Sequence, residues 1–346
     1  MKKLLILVFL FAQFAIPVSA MEFSAPEVTG QARKYMPDKS ETFAQGVWSI
    51  MQNVITHAQP DLAEAAEVCV CILGAVILSS LANQIPGGIH APTDLVGVCV
   101  IAIIMIRSSN TMIQLAVSTI DEIINYGKLL LPVITAALAA QGGMNTSTAL
   151  YTGATVFIGI ISALIGKLLI PLTYIYLCLA IASCAFGGQM LTNLLKAIKW
   201  LMTWILKIAV YVFTGYMSIT GIVSGSVDAS AIKATKIAFS GMLPVVGGIM
   251  SDASESVLAG AAVMKNSVGV YGIFAIFSVI FAPFFKIGIH YLLLKVTMYF
   301  ADMFHDNRAV KLLKDFTTVM GFALGMIGTV SIILLISTVC FMKGVS

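Results

Sequence analysis

Charge is what this sequence lacks. Of its 346 residues only 20 are Lys or Arg and 16 are Asp or Glu, 10% in all, where ordinary soluble domains carry about 25%. With 59% apolar residues and a mean hydropathy of +0.98, the chain has too little polar surface to stay dissolved, and it reads as an integral membrane protein. The net charge is only +4, and the basic residues are scattered between apolar blocks, so the basic stripe that nucleic-acid binding needs is missing. Cysteine is also sparse. Cys69, Cys71, Cys99, Cys178, Cys184 and Cys340 all lie in or beside apolar runs, where a thiol packs as a small hydrophobe, and no disulfide framework is implied. Cys69 and Cys71 have only His57 and His90 at a distance, which is not a zinc-ligand spacing. Gly-rich phosphate loops, paired His/Glu metal motifs and a Gly-x-Ser-x-Gly elbow are absent as well. The sequence therefore implies no cofactor, no metal and no catalytic set, and an energy-coupled role would need a separate ATPase.

Hydrophobic runs are what it has in abundance. Lys2 and Lys3 precede an apolar stretch from Leu4 to Ile16 and then Val18-Ser19-Ala20, the three parts of a secretory signal peptide with cleavage expected after Ala20. Residues 21–63 are polar enough to form a short exported N-terminal segment. From Glu64 onward, blocks at 65–81, 95–106, 149–165, 168–186, 201–223, 268–281, 287–300 and 319–340 satisfy or approach the length of a membrane-crossing helix. The fold class is all-α, a polytopic helical bundle. Shorter Gly/Ala-rich stretches around Pro132 and Pro244 read as broken helices or re-entrant segments.

The late prolines suggest an internal repeat. After residue 92 only Pro132, Pro171, Pro244 and Pro283 remain; 171 − 132 and 283 − 244 are both 39, and the two pairs are offset by 112. At the same offset the basic helix start Lys196 to Lys199 aligns with Arg308 to Lys311. Basic residues near span ends favour the cytoplasm, so both starts belong inside, and two parallel repeats of about 112 residues follow, each with an even number of crossings. The organisation read from the sequence is thus a signal peptide (1–20), an exported segment (21–63), leading transmembrane helices (64–111), repeat one (112–223) and repeat two (224–346), with about ten crossings after the signal and fewer if the broken segments only re-enter.

Two kinds of site residue stand out. Lys196, Lys199, Arg308 and Lys311 open amphipathic stretches suited to the headgroup layer, with Trp200 and Trp204 as interfacial anchors beside the first pair. The other is the segment around Pro244, Gly247, Gly248, Asp252, Glu255, Lys265 and Asn266. There, Ser251 to Glu255 resembles a capping box opening a helix at Val257. A Pro/Gly-broken segment with acids also fits the lining of a polar cavity, because irregular backbone at membrane depth is tolerated only inside protein or against water. His290 reads as a polar contact between helices rather than a ligand.

The run from Leu243 through Pro244, Gly247, Gly248, Ser251 and Asp252 to Ala253, followed by Val263-Met264-Lys265-Asn266-Ser267-Val268-Gly269-Val270-Tyr271-Gly272, resembles the signature region of the stage III sporulation protein AE family of endospore-forming bacteria. The signal peptide, the short exported segment and the polytopic body extend the resemblance over essentially the whole chain. It implies a multi-pass protein of the mother-cell (outer forespore) membrane, a non-enzymatic subunit of the mother cell–forespore channel. That feeding-tube or secretion-like apparatus supports late forespore development. The implied partners are the other stage III A proteins, including a cytoplasmic ATPase and ring-forming subunits, forespore stage II protein Q or an equivalent, and membrane lipid. The competing reading is a self-sufficient secondary transporter or permease, for which the repeat and the broken segments speak.

Overall fold

The computed structural model describes residues 25–28, 30–37, 43–83, 90–242, 246–304 and 307–343; for 30–31, 83, 90–94, 222–227, 229–242, 246–261 and 264 it describes the backbone alone. The signal peptide and Pro244 lie outside the described residues. What is described is helical throughout, with no strand among the described residues. A short 3-10 turn, Gly30–Tyr35, leads into α1 (Phe43–His57), α2 (Gln59–Asn83), α3 (His90–Ala140) and α4 (Met144–Leu164). A π turn, Ile165–Leu169, joins α4 to α5 (Ile170–Ala185), and α6 (Gln189–Met242), α7 (Val246–Met303) and α8 (Asn307–Lys343) follow.

Among the described residues six stretches are long and apolar enough to cross a membrane: Gln59–Ala82, Leu95–Ala140, Met144–Ala185, Gln189–Gly221, Lys265–Met303 and Asn307–Lys343. The chain folds as a multi-pass membrane protein. The count is below that suggested by the hydrophobic blocks, because interruptions read as loops are carried inside helices. The 149–165 and 168–186 blocks are one continuous rod, and so are the 268–281 and 287–300 blocks. Pro171 explains the first case. It has no N–H for the carbonyl of Lys167, and the backbone responds by widening into the π turn, where Ile170 N–H reaches back to the Ile165 carbonyl. Pro283 is likewise held inside α7, and Pro132 inside α3.

The expected helix start at Val257 is not where the helix begins. Residues 246–303 form one helix, so Ser251 to Glu255 lies within it, at its sixth to tenth positions and beyond the first turn that a cap would serve. The unit boundaries at 63/64, 111/112 and 223/224 fall inside α2, α3 and α6. Basic starts do follow the helix ends at Ala185 and Met303, but those ends are offset by 118 (303 − 185), six more than the prolines. After the first of them Gly187 and Gly188 take positive φ values of 72° and 107°, a conformation that an L side chain resists.

Helix α8 is the axis of the bundle, packing against α3, α4, α5, α6 and α7. Its Leu312, Phe316, Met320, Ala323, Ile327, Val330, Leu334 and Phe341 are all essentially inaccessible. Between helices in lipid, close packing rather than transfer from water provides the attraction, so small residues matter at the crossings. Gly127 lets Leu334 in, Gly272 receives Leu130, Gly269 receives Met342, and Gly153 receives the hydroxyl end of the Tyr216 ring. The segment read as a solvated tail also packs: α1 presents Gly46, Ile50 and Val54 along one face, and Phe43 stacks on Phe274 of α7 at 5.3 Å.

Candidate functional site

A polar cleft in the spanning region is built by three helices. It has a volume of about 850 Å3 and lies between α3 and α7, with Asp61 of α2 and Tyr35 of the 3-10 turn at its edge. Pro283 is on its wall together with Val279, the residue whose carbonyl loses its helical donor to the proline. The opposite wall carries Thr111, Ser118, Thr119, Asp121, Glu122 and Asn125 of α3. The hydroxyls of Thr111, Ser118 and Thr119 donate to carbonyls of their own helix, at 3.1, 3.0 and 2.7 Å. Their oxygens therefore meet the cleft as acceptors. With Asp61, Asp121 and Glu122 against Lys286 alone, the cleft is an acceptor-rich, acidic environment.

Lys286 closes one end of it. Its Nζ donates to Asp61 Oδ1 at 2.9 Å and Glu64 Oε2 at 2.8 Å, an ion triad that ties α7 to the start of α2. One helical turn further, His290 is 2% exposed and its Nε2 has no hydrogen-bond partner among the described residues. Ionisable groups on membrane-crossing helices are costly, by roughly 2.5 to 3.5 kcal/mol for a central Asp, and are retained where they face a cavity or one another. Asp121-Glu122 and the Asp61/Glu64/Lys286 triad meet that description. The arrangement suits a cation, a proton or a polar segment.

A second polar cluster joins α5, α6 and α8. Tyr176, 2% exposed, donates its hydroxyl hydrogen to Asp315 Oδ1 at 2.9 Å, while Lys311 Nζ donates to Ser183 Oγ at 2.8 Å and to Thr192 Oγ1 at 3.3 Å. Lys311 thus turns into the protein instead of outward to headgroups, whereas Lys196 and Lys199 are exposed. Trp200 and Trp204 are exposed and stack at 5.8 Å.

At the other end of the bundle Asp228 of α6 caps α4 from a distance in sequence. It accepts hydrogen bonds from the backbone N–H of Thr146 at 2.7 Å, the backbone N–H of Asn145 at 3.2 Å and Asn145 Nδ2 at 2.9 Å. Burial opposes its ionisation, but the hydrogen bonds from Thr146 and Asn145 outweigh that and hold the carboxyl below its ordinary range. The local cap position, Gly143, supplies no side-chain bond of its own.

The sequence of the stage III sporulation protein AE family matches residues 34–344. The chain belongs to that family. Among curated proteins, Stage III sporulation protein AE of Bacillus subtilis (strain 168) is 22% identical over 188 residues, which cover 54% of this chain and 47% of that protein. The matched stretch thus spans about half the length of that relative. No solved structure matches the chain.

The residues singled out in the sequence fare unevenly. In the Pro244 to Asn266 segment, Gly247, Gly248, Asp252 and Glu255 belong to the helical backbone of α7 with side chains outside the described residues. Lys265 is 3% exposed and Asn266 is exposed. Sequence reasoning passed over Asp121, Glu122 and Lys286. A signal was there: an acidic pair flanked by Ile120, Ile123 and Ile124 in the middle of an apolar helix is an intramembrane charge that calls for an explanation.

Proposed function

We propose that this sporulation-family protein is a non-enzymatic membrane subunit of the mother cell–forespore channel, sitting in the mother-cell (outer forespore) membrane with its N-terminal segment exported after removal of the signal peptide. It works with the other stage III A proteins, a cytoplasmic ATPase and ring-forming subunits among them, and with stage II protein Q or an equivalent from the forespore. The observation that carries this reading is the family match extending from residue 34 to residue 344 over a multi-pass bundle. Its working parts in this reading are the acidic α3–α7 cleft, where a transported or docked polar group would meet the subunit, and the Pro244 to Asn266 segment, chosen from its sequence alone.

Purification of the tagged protein from sporulating cells is the test. Recovery of the ATPase and ring-forming proteins in stoichiometric amounts is expected, and reproducible recovery of the protein alone would overturn the proposal. Within the complex, replacing Asp252 and Glu255 together by Ala should block sporulation after engulfment at unchanged protein abundance; normal spore yield would remove that segment from the mechanism.

A self-sufficient secondary transporter is the second reading, and Asp121 and Glu122 favour it by placing carboxylates inside a span. It predicts substrate or ion flux in vesicles containing this chain alone, abolished by Glu122→Gln.

A further inference from the structure

At the end of the bundle where α6 and α8 begin and α7 ends, a cleft of about 460 Å3 between these three helices is lined by Lys199, Lys295 and Lys314. No carboxylate is among the residues lining it, and among the described residues none of the three lysines forms an ion pair. The Lys295 ammonium sits 4.9 Å above the ring of Tyr291, and the neighbouring Asp315, which accepts from Tyr176, lies within electrostatic reach of Lys199 and Lys314. Three ammonium groups on three different helices outnumber that one carboxylate and repel one another, and their placement makes sense if a further anion is held between them. Thr203, Thr317 and Thr318 also line the cleft but donate to carbonyls of their own helices, at 2.8, 2.7 and 3.0 Å. The donors available to an anion are therefore the ammonium groups, with the hydroxyls of Tyr291 and Tyr299 beside them.

The cleft does not end at the lysines. A second cavity of about 350 Å3 shares Thr203, Gly321 and Phe322 with it and continues between α6 and α8 past Leu206, Val210 and Gly325, with Lys207 and Tyr211 exposed at its rim. Gly321 and Gly325 stand one turn apart on α8 and leave this groove open; a β-carbon at 321 would meet only Tyr291, at 3.9 Å. Cationic head and apolar groove together have the shape of a lipid. The depth agrees. Lys199 lies ten residues inside the start of α6, Lys295 eight before the end of α7 and Lys314 seven inside α8, about 10 to 15 Å from those helix ends at 1.5 Å per residue. The stacked, exposed Trp200 and Trp204 mark the same level, where aromatic belts meet headgroups.

We infer that this is a binding site for an anionic phospholipid, its phosphate held by Lys199, Lys295 and Lys314 and one acyl chain lying in the α6–α8 groove. Basic pockets between membrane helices on the cytoplasmic side are the expected receptors for such headgroups. The inference rests on the membrane fold and not on the channel reading.

The test uses the full chain purified in a neutral detergent, with phosphatidylglycerol, phosphatidylcholine or inorganic phosphate added and both thermal midpoint and lipid retention by native mass spectrometry recorded. Phosphatidylglycerol should bind and raise the midpoint, and phosphatidylcholine should not. The combined Lys199→Gln, Lys295→Gln and Lys314→Gln variant should bind phosphatidylglycerol at least tenfold more weakly and lose the rise in midpoint that this lipid gives the parent. Removing the same charge elsewhere, by Lys34→Gln, Lys196→Gln and Lys343→Gln, should leave binding unchanged. Gly321→Leu, which fills the groove, should lose the lipid even if the triple variant does not fold. Equal binding of the two lipids, full retention in either cleft variant, or reproduction of the shift by inorganic phosphate in Gly321→Leu would overturn the inference, the last by making this a free-phosphate site.

Discussion

The carboxylate of Asp228 holds the first turn of α4 through the backbone N–H of Thr146, 2.7 Å away and 82 positions earlier in the chain. A helix start whose own cap residue is Gly143 is thereby completed by a different helix, so one residue links the local end of α4 to its packing on α6.

Loss of that cap should be measurable. Asp228→Ala should lower stability by about 0.5 to 2 kcal/mol, the range for an N-cap, seen as a drop in the thermal midpoint in detergent. The carboxyl is held below its ordinary range, so its contribution is fully present above the unfolded-state value of about 3.9 and disappears as pH falls through the lower folded value. The difference between the parent and Asp228→Ala should therefore be constant from neutral pH down to about 5 and shrink only in stronger acid. A difference that grows on acidification would contradict the assignment.

The Lys286 triad should act as a coupled unit of modest strength. Its side chains are 24% to 49% exposed, so screening limits each pair to roughly 0.2 to 1 kcal/mol. A double-mutant cycle with Lys286→Met and Glu64→Gln should return a coupling in that range, and salt should weaken it. A coupling of several kcal/mol would show that the triad is sealed from solvent in the membrane.

Gly153 should reject any side chain. A β-carbon there would overlap the ring of Tyr216, whose hydroxyl donates to the Ala149 carbonyl at 3.3 Å. Gly153→Val should cost about 1 to 3 kcal/mol by overpacking, and adding Tyr216→Leu should recover part of the loss. No recovery would place the damage elsewhere.

Membrane orientation follows from where the basic residues collect. Lys196, Lys199, Arg308, Lys311 and Lys314 all open helices at one end of the bundle, which the positive-inside tendency assigns to the cytoplasm. In a cysteine-free background, Phe186→Cys should react with an impermeant maleimide only after the cells are opened, while a cysteine at Gln141, at the opposite turn, should react in intact protoplasts. The reverse pattern would invert the topology and move the three-lysine cleft to the outer face.

The amino-acid sequence by itself determined the class of this protein. Too few charges and long apolar runs leave a helical membrane bundle as the physical solution, because backbone groups in lipid must bond within their own segment. The run from Leu243 to Gly272 carried the family resemblance, and the matching of residues 34–344 agrees with it. The number of crossings was less legible, since an apolar helix interrupted by Pro171 or Pro283 looks like two short ones until the π turn or a packed neighbour carries the backbone through. Only the tertiary structure brought Asp61 and Glu64 to Lys286, more than 200 residues away, set Asp228 on the start of α4, and converged Lys199, Lys295 and Lys314 on one cleft. Such pairings depend on which helix faces meet. In a sequence where nearly every face is apolar, periodicity gives each helix little preference for one neighbour over another, and it is the small residues at the crossings, Gly153 against Tyr216 and Gly127 against Leu334, that decide which faces come close enough to bring the charges together.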